Sequence, residues 1–335
     1  MEILIVGGAG PDSLEENLKA SFNSLENISA ILYIFPPKST FEKGKVLNFL
    51  LKKSLRFPPL MRHFERRLVR FVKKNNLSDV IVLTGAVKLL RPETISRMKN
   101  YVKSVSCWFV DASVNLNPSN SLNAPYDIVF LADRGLRDYL GMVGSRDYRF
   151  LSEGYLEGRH LPLGQPNSKM RIAIVGSLYP ERISLLEKLV RDGYPISIYG
   201  FGLPRSHRNS ILKGYIQGGL VSFENKSQIF REHVCVLNSF LPSHLDIINC
   251  RVFEVLASGG LLVTQHSEII EEKFGTNQSL ITFNNYIELT RSLDSILANP
   301  ESFNLVRESG IESVRYDSLK SRAIEISTEL RKFHN

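Results

Sequence analysis

The stretch VCVLNSFLPSHLDIINCRVFEVLASGGLLVTQ, residues 234–265, decides how the chain is read. Its ends, 234–237 and 261–263, are short β-branched and aliphatic runs of the kind that form fully buried parallel strands. Between them the spacing predicts one helix over 250–258, with Asn249 as its N-cap and the Gly259-Gly260 pair turning the chain into the next strand. Val252, Phe253, Val255 and Leu256 cover most of the circumference of that helix. They leave Arg251, Glu254 and Ser258 in a single polar stripe at spacings of three and four, an odd feature for a buried helix.

The unpaired N–H groups at such a helix start attract an anion, and Arg251 adds a full positive charge beside them. A diphosphate suits this electrostatics. Glu254 is placed to accept hydrogen bonds from a ribose diol, as acidic residues do in dinucleotide folds, and Asp246, eight positions earlier, to hold hydroxyls of a second sugar. A plainer reading stands beside this one: Asn249 only caps, Arg251 and Glu254 pair at i,i+3 on a solvated face, and Asp246 is a turn residue.

The run Asn-Cys-Arg-Val-Phe-Glu-Val-Leu-Ala-Ser-Gly-Gly, residues 249–260, resembles the "N-x-R-x-F-E-x-x-A-x-G-G" segment of the CgeB-like (spore-maturation type) glycosyltransferases of the GT-B superfamily. It is also similar to the E-x7-E region of retaining GT-B enzymes, with Glu254 as the second acid. In those relatives the second acid binds the nucleotide ribose, the first contacts the donor sugar, and the residues between approach the diphosphate. This chain carries Asp246 where the family has Glu, and the shorter carboxylate leaves the donor-sugar contact and the stereochemical outcome open. The likeness extends in weaker form from about residue 79 to the C-terminus.

At 335 residues the chain is more than twice a typical domain, so two separate cores are expected. Strand-like runs recur at 3–6, 30–35, 79–84, 105–110, 127–131 and 149–151, alternating with helical or loop segments. A second series follows at 171–175, 196–199, 220–223, 234–237, 261–263 and 280–283. Between the series LPLGQPNS, residues 161–168, has the proline, glycine and polar content of a linker. The expected fold class is α/β, two Rossmann-like domains facing a cleft (GT-B). The N-terminal, acceptor-side domain would span 1–160, the linker 161–169 and the nucleotide-sugar domain 170–317. Helices are expected over 300–313 and 318–333, and in GT-B proteins the last helix crosses back, so 318–335 would return to the first domain.

Three widely spaced cysteines, Cys107, Cys235 and Cys250, lie in or beside apolar runs and read as reduced core thiols of a cytoplasmic protein. The first ten residues suit a buried strand better than a secretory signal, and no apolar run approaches a membrane span of about 20 residues. The Gly7-Gly8-Ala9-Gly10 turn does not match the dinucleotide spacing; it reads as a structural turn or an acceptor-side loop. Residues 38–74 hold twelve Lys and Arg against Glu42 and Glu65, a net +10 where the whole chain is +8. Interleaved with apolar and aromatic residues, and broken at Pro58-Pro59, this stretch fits either ordinary amphipathic helices or a peripheral contact with an anionic membrane. No nucleic-acid-binding motif accompanies the charge.

Further site candidates sit at strand ends. Cys107-Trp108-Phe109-Val110-Asp111 brings an acid to the carboxyl end of a strand and resembles the "W-F-x-D" segment of the CgeB-like proteins. Asp111 is the candidate base if catalysis inverts and an acceptor or sugar ligand if it retains; capping the next turn is the competing role. Gly176-Ser177 ends the first strand of the second series, and Arg182 follows in a helix from which it would reach a phosphate or simply face solvent; similar turns occur in the resembling family. Tyr199-Gly200 ends the next strand, where relatives accommodate the donor nucleotide. No metal-ligand spacing and no cofactor motif is present, so a metal-independent enzyme is expected, with a nucleotide sugar as donor and a glycan, protein or lipid-linked acceptor. A GT-B-shaped epimerase and a non-catalytic nucleotide or glycan binder are the alternatives.

Overall fold

A computed structural model describes residues 1–36, 58–111, 124–144, 146–200 and 202–334, apart from Ala9, Pro11, Leu220, Ser222, residues 241–245 and Thr276. Two units form: residues 1–152 with 319–335, and residues 153–318.

The first unit is built on β1 (Glu2–Gly7), β2 (Ser29–Ile34), β3 (Asp79–Leu83), β4 (Ser104–Phe109), β5 (Ile128–Leu131) and β6 (Asp147–Phe150). They pair in parallel in the order β2-β1-β3-β4-β5-β6. Every residue of β3, β4 and β5 is buried, as required of parallel strands covered on both faces by crossover helices. Those helices include α1 (Leu14–Asn23), α2 (Pro58–Lys74), α3 (Thr84–Val87), α4 (Pro92–Lys99) and α5 (Arg134–Val143). The last helix of the chain, Leu319–Arg331, packs on α1 and belongs to this unit. Arg322 fastens its start by donating to the Ser152 carbonyl at 3.0 Å, and His334 beyond its end lies 2.9 Å from the fully buried Asp79 carboxylate.

The second unit repeats the plan with β7 (Lys169–Val175), β8 (Ile196–Tyr199), β9 (Ile216–Gly218), β10 (His233–Asn238), β11 (Leu262–Gln265) and β12 (Ile281–Phe283), all parallel, in the order β12-β11-β10-β7-β8-β9. Its helices are α6 (Pro180–Arg191), α7 (Phe223–Glu232), α8 (Cys250–Ala257), α9 (Glu268–Phe274), α10 (Tyr286–Ala298) and α11 (Asn304–Ser313). Each unit has its own apolar cluster, one around Leu4, Val82 and Phe109, the other around Ile174, Leu237 and Val263.

One expected strand is corrected. Of the run 220–223, Leu220 and Ser222 lie outside the described residues, Val221 belongs to no strand and Phe223 opens α7; the described strand at that edge is the three-residue β9. It pairs only with β8 and leaves Gln217 and Gly218 exposed, so no apolar run marks it. Residues 161–168 lie along the second unit, where Arg231 donates to the Gly164 carbonyl at 3.0 Å. The units part earlier, between Ser152 and Glu153.

Of the basic stretch, residues 38–57 lie outside the described residues. The remainder is α2, which starts at Pro58-Pro59, where proline is tolerated because the first-turn N–H groups have no intrahelical acceptor. Leu68 and Val72 face the core, while Arg62, Arg66, Arg67, Arg70, Lys73 and Lys74 are exposed. Among the described residues no helix is long and apolar enough to cross a membrane. The three cysteines are free; burial pushes the Cys235 thiol up to about 12, against a smaller opposing effect of Arg307. At the first turn the Gly8 N–H donates to Glu15 Oε1 at 2.8 Å, so α1's own carboxylate holds the glycine turn; Ala9 lies outside the described residues.

Candidate functional site

The decisive helix forms as the spacing predicts, as α8, with Val252, Phe253, Val255 and Leu256 fully buried. Each such side chain contributes roughly 1.5–3 kcal/mol relative to exposure, which anchors the helix between its flanking strands. Gly259, at φ +68, ends it. The polar stripe is not solvated. It packs on α7, with the Arg251 guanidinium over the Phe230 ring at 5.1 Å and Ser258 Oγ donating to Ser227 Oγ at 3.1 Å.

The centre of this interface is Glu254, 5% exposed. Lys226 Nζ donates to its Oε1 at 2.8 Å, Arg251 Nη1 donates to its Oε2, and His160 Nε2 lies 3.6 Å from Oε1. Because His160 Nδ1 accepts the Leu156 N–H at 3.1 Å, its ring proton sits on Nε2, facing the carboxylate. Burial alone would push the Glu254 carboxyl up; Arg251, Lys226 and His160 outweigh it and hold it at about 2. The i,i+3 pair of the plainer reading therefore exists, but in the interior. A carboxylate has about four acceptor positions, so one remains for a hydroxyl after these three groups.

The expected cap is corrected. Asn249 occupies the N-cap position, yet its side chain makes no cap hydrogen bond. Its Oδ1 accepts instead from Asn238 at 3.5 Å, and the Cys250 N–H donates to Glu153 Oε2 at 2.6 Å. A carboxylate from the start of this unit thus stands at the helix N-terminus, where an anion was expected, and satisfies the same field.

Positive charge gathers where β7 and β8 end, from Arg182 on α6 and Arg251 on α8. Gly176 adopts φ +127 and donates its N–H to the Tyr199 carbonyl at 2.9 Å. A Cβ on Gly176 would lie 3.6 Å from Arg182 Nη1 and 3.8 Å from Arg251 Nη2, so the bare glycine faces two guanidinium groups. A Cβ on Gly200 would lie 2.3 Å from the Gly176 carbonyl oxygen, so the two glycine turns touch. Arg182, on the first turn of α6, is buried rather than a surface residue. Its Nε donates to Ser239 Oγ at 2.9 Å, Nη2 to the Ser239 carbonyl at 2.5 Å and Nη1 to the Ser177 carbonyl at 3.0 Å, and it stacks on Tyr179 at 4.5 Å. Burial, and then the like charge of Arg251, pull the guanidinium below its usual range, against an opposing effect of Tyr179. Among the described residues no carboxylate pairs with Arg182, so this corner carries an uncompensated buried cation.

The other candidates are more dispersed. The Tyr199 hydroxyl lies 3.2 Å from His233 Nε2, and because His233 Nδ1 must donate to the Ile229 carbonyl at 2.8 Å, the tyrosine donates inward. Asp246 is exposed. His266 pairs with Glu271 at 2.8 Å. Asp111, in the first unit, accepts from Lys88 Nζ at 2.7 Å, and Asp133 caps α5 through the Leu136 N–H. Among the described residues no group of three or more His, Cys, Asp or Glu could hold a metal ion. Sequence reasoning missed Glu153, His160, Lys226 and Ser239; the first two reach the site from the segment between β6 and β7, Lys226 from α7 and Ser239 from just past β10, with no local pattern to mark them.

Residues 168–326, a little under half of the chain, match the family model described as glycosyl transferase-like. That span includes Gly176, Arg182, Gly200, Lys226, Arg251 and Glu254. No curated protein sequence matches the chain. Sucrose-phosphate synthase from Thermosynechococcus elongatus is similar in structure, with a TM-score of 0.74 at 10% identity, covering 100% of this chain and 99% of that one. HepE from Anabaena in complex with UDP and glucose has a TM-score of 0.69 at 10% identity, covering 99% and 100%. A glycosyltransferase from Rickettsia africae has 0.68 at 13% identity, covering 100% and 98%. The fold is therefore that of two parallel-sheet α/β domains, as in GT-B glycosyltransferases.

Proposed function

We propose that the chain is a glycosyltransferase that moves a sugar from a nucleoside-diphosphate donor to an acceptor hydroxyl. The observation that carries this is the pair of guanidinium groups, Arg182 and Arg251, converging on the bare backbone of Gly176. Two planar forks in a partly dry corner match the oxygens of a diphosphate and supply the positive charge its departure requires. The glycosyl transferase-like span and a neighbour solved with UDP and glucose support the nucleotide part. Glu254, itself held by Lys226, holds Arg251 in place, and its remaining acceptor position takes a ribose hydroxyl. Gly176, Ser177, Tyr199, Gly200 and Asn249 border the nucleotide, and Asp246 contacts the donor sugar. Asp111 acts on the acceptor, as base or ligand, with Lys88 Nζ donating to it at 2.7 Å. The CgeB-like subtype, independence from metal, a lipid-linked or glycan acceptor and a cytoplasmic, membrane-peripheral location belong to the same reading.

Calorimetric titration of nucleoside diphosphates tests it. Arg182→Met keeps length and loses charge, and should weaken binding by about 1.5–3 kcal/mol, roughly ten- to a hundredfold, with circular dichroism unchanged. Full affinity in a folded variant would remove the guanidinium pair from the site. Asp111→Asn should bind donor normally yet turn over slower, on the order of a hundredfold. Mass spectrometry of the products distinguishes the classes: an isomerised donor with no transferred sugar means an epimerase.

A further inference from the structure

A second cationic site lies in the first unit, apart from the residues used above. Helices α2 and α4 pack side by side over a cavity of about 190 Å³ lined by Arg62, Glu65, Arg66, Arg91, Thr94 and Arg97. Glu65 is its one acid. It is 2% exposed, and Arg91 occupies both its oxygens: the backbone N–H at 2.9 Å, Nε at 2.8 Å and Nη2 at 2.6 Å. Burial of such a carboxylate is tolerated because two guanidinium N–H groups on Oε2 and the backbone N–H on Oε1 satisfy it. The acid is therefore spent within the floor of the cavity, and Arg62, Arg66 and Arg97 remain around the opening.

None of those three has a carboxylate within ion-pair distance among the described residues. Arg62 and Arg66 stand one turn apart on the same face of α2, and Arg97 approaches from α4. Three like charges around one small concavity repel one another, and solvent screens that repulsion less in a concavity than on an open face. The arrangement is stabilised by an anion with several oxygens, which guanidinium groups engage in pairs. Both helices run antiparallel to the strands, α2 leading into β3 and α4 leaving it, so Arg62 and Arg91 lie toward the carboxyl end of the sheet. Asp111 follows β4 at that same end. Ligands of open parallel sheets gather there.

We propose that the cavity between α2 and α4 binds a phosphate ester group, carried by a phospholipid headgroup or by a soluble molecule. The site stands independently of the glycosyl-transfer reading. The full chain is tested in an Arg182→Met background, so that the other guanidinium pair does not contribute. Inorganic phosphate and pyrophosphate are titrated by calorimetry, and vesicles of phosphatidylglycerol or of phosphatidylcholine alone are tested by flotation. Arg62→Ala with Arg66→Ala is compared with Arg67→Ala with Lys74→Ala, which removes the same charge from the same helix outside the cavity.

Binding by the parent, at least tenfold weaker in the cavity variant and within twofold in the control, supports the site. Capture by phosphatidylglycerol vesicles without binding of the inorganic ions assigns the phosphate to a lipid; the reverse assigns it to a soluble ester. Equal losses in the two variants would mean diffuse surface attraction and overturn the proposal, as would the absence of binding to every probe.

Discussion

Glu254→Gln is expected to destabilise the second unit by about 3–5 kcal/mol, read as a shift of the denaturant midpoint, because one side of a buried ion network is removed and the other left in place. The glutamine has nearly the same volume, so packing of Val255 and Phe253 is unchanged and the loss is electrostatic. Arg251 and Lys226 would then sit beside a neutral amide, with side chains only 14% and 10% exposed. The same group sets an acid limit. Its carboxyl titrates at about 2 when folded against an ordinary 4.5, so its contribution is complete above about pH 5 and lost as pH falls from there toward 2. That interval corresponds to about 3 kcal/mol. The wild type should show this acid slope in the second unit's unfolding and Glu254→Gln should not. Equal slopes would mean that the carboxylate is not held by its three neighbours. Donor affinity measured on the folded fraction separates this structural role from any contact with ribose.

Much of the fold is written locally. Eleven of the twelve strands fall on the expected runs; those buried along their whole length, such as β3 and β5, are mostly apolar because parallel strands covered on both faces carry few polar residues, and β9 escapes because an edge strand of three residues has no such obligation. The site is less legible for a related reason. The stripe Arg251, Glu254, Ser258 can be recognised as anomalous from spacing alone, but not its explanation. Lys226 and Ser227 come from the preceding crossover helix, and His160 and Glu153 from the segment that leads into β7, Glu153 at its very start. Asn249 has the right side chain for a cap and does not use it; Glu153 instead brings a carboxylate to the helix's first N–H, that of Cys250. Arg182 reads equally well as exposed or as a phosphate ligand until Ser239 and Tyr179 are seen to enclose it. Local propensity places elements; the pairing of charges across elements is tertiary information.

Gly200→Ala should be the most damaging single-methyl change in the site, about 3–4 kcal/mol in the denaturant midpoint, with nucleotide binding lost in whatever fraction folds. Gly176 and Gly200 each mark a strand end, and each alone is an ordinary turn glycine. Together they form one contact: the added Cβ would meet the Gly176 carbonyl oxygen at 2.3 Å and its carbon at 3.1 Å. Backbone cannot rotate away as a side chain does. Gly176 is held by its N–H bond to the Tyr199 carbonyl and by φ +127, and moving it displaces the surface that faces Arg182 and Arg251. Strain at residue 200 is thus transmitted to the proposed diphosphate position without touching a charge. Gly214→Ala is the matched control, because a Cβ there meets nothing within 4 Å and its φ needs no glycine. It should change stability by no more than about 0.5 kcal/mol, or raise it by restricting the unfolded chain. Similar midpoints for the two variants would show that the glycine turns do not press on each other, and the site would lose the rigid backbone on which the two guanidinium groups converge.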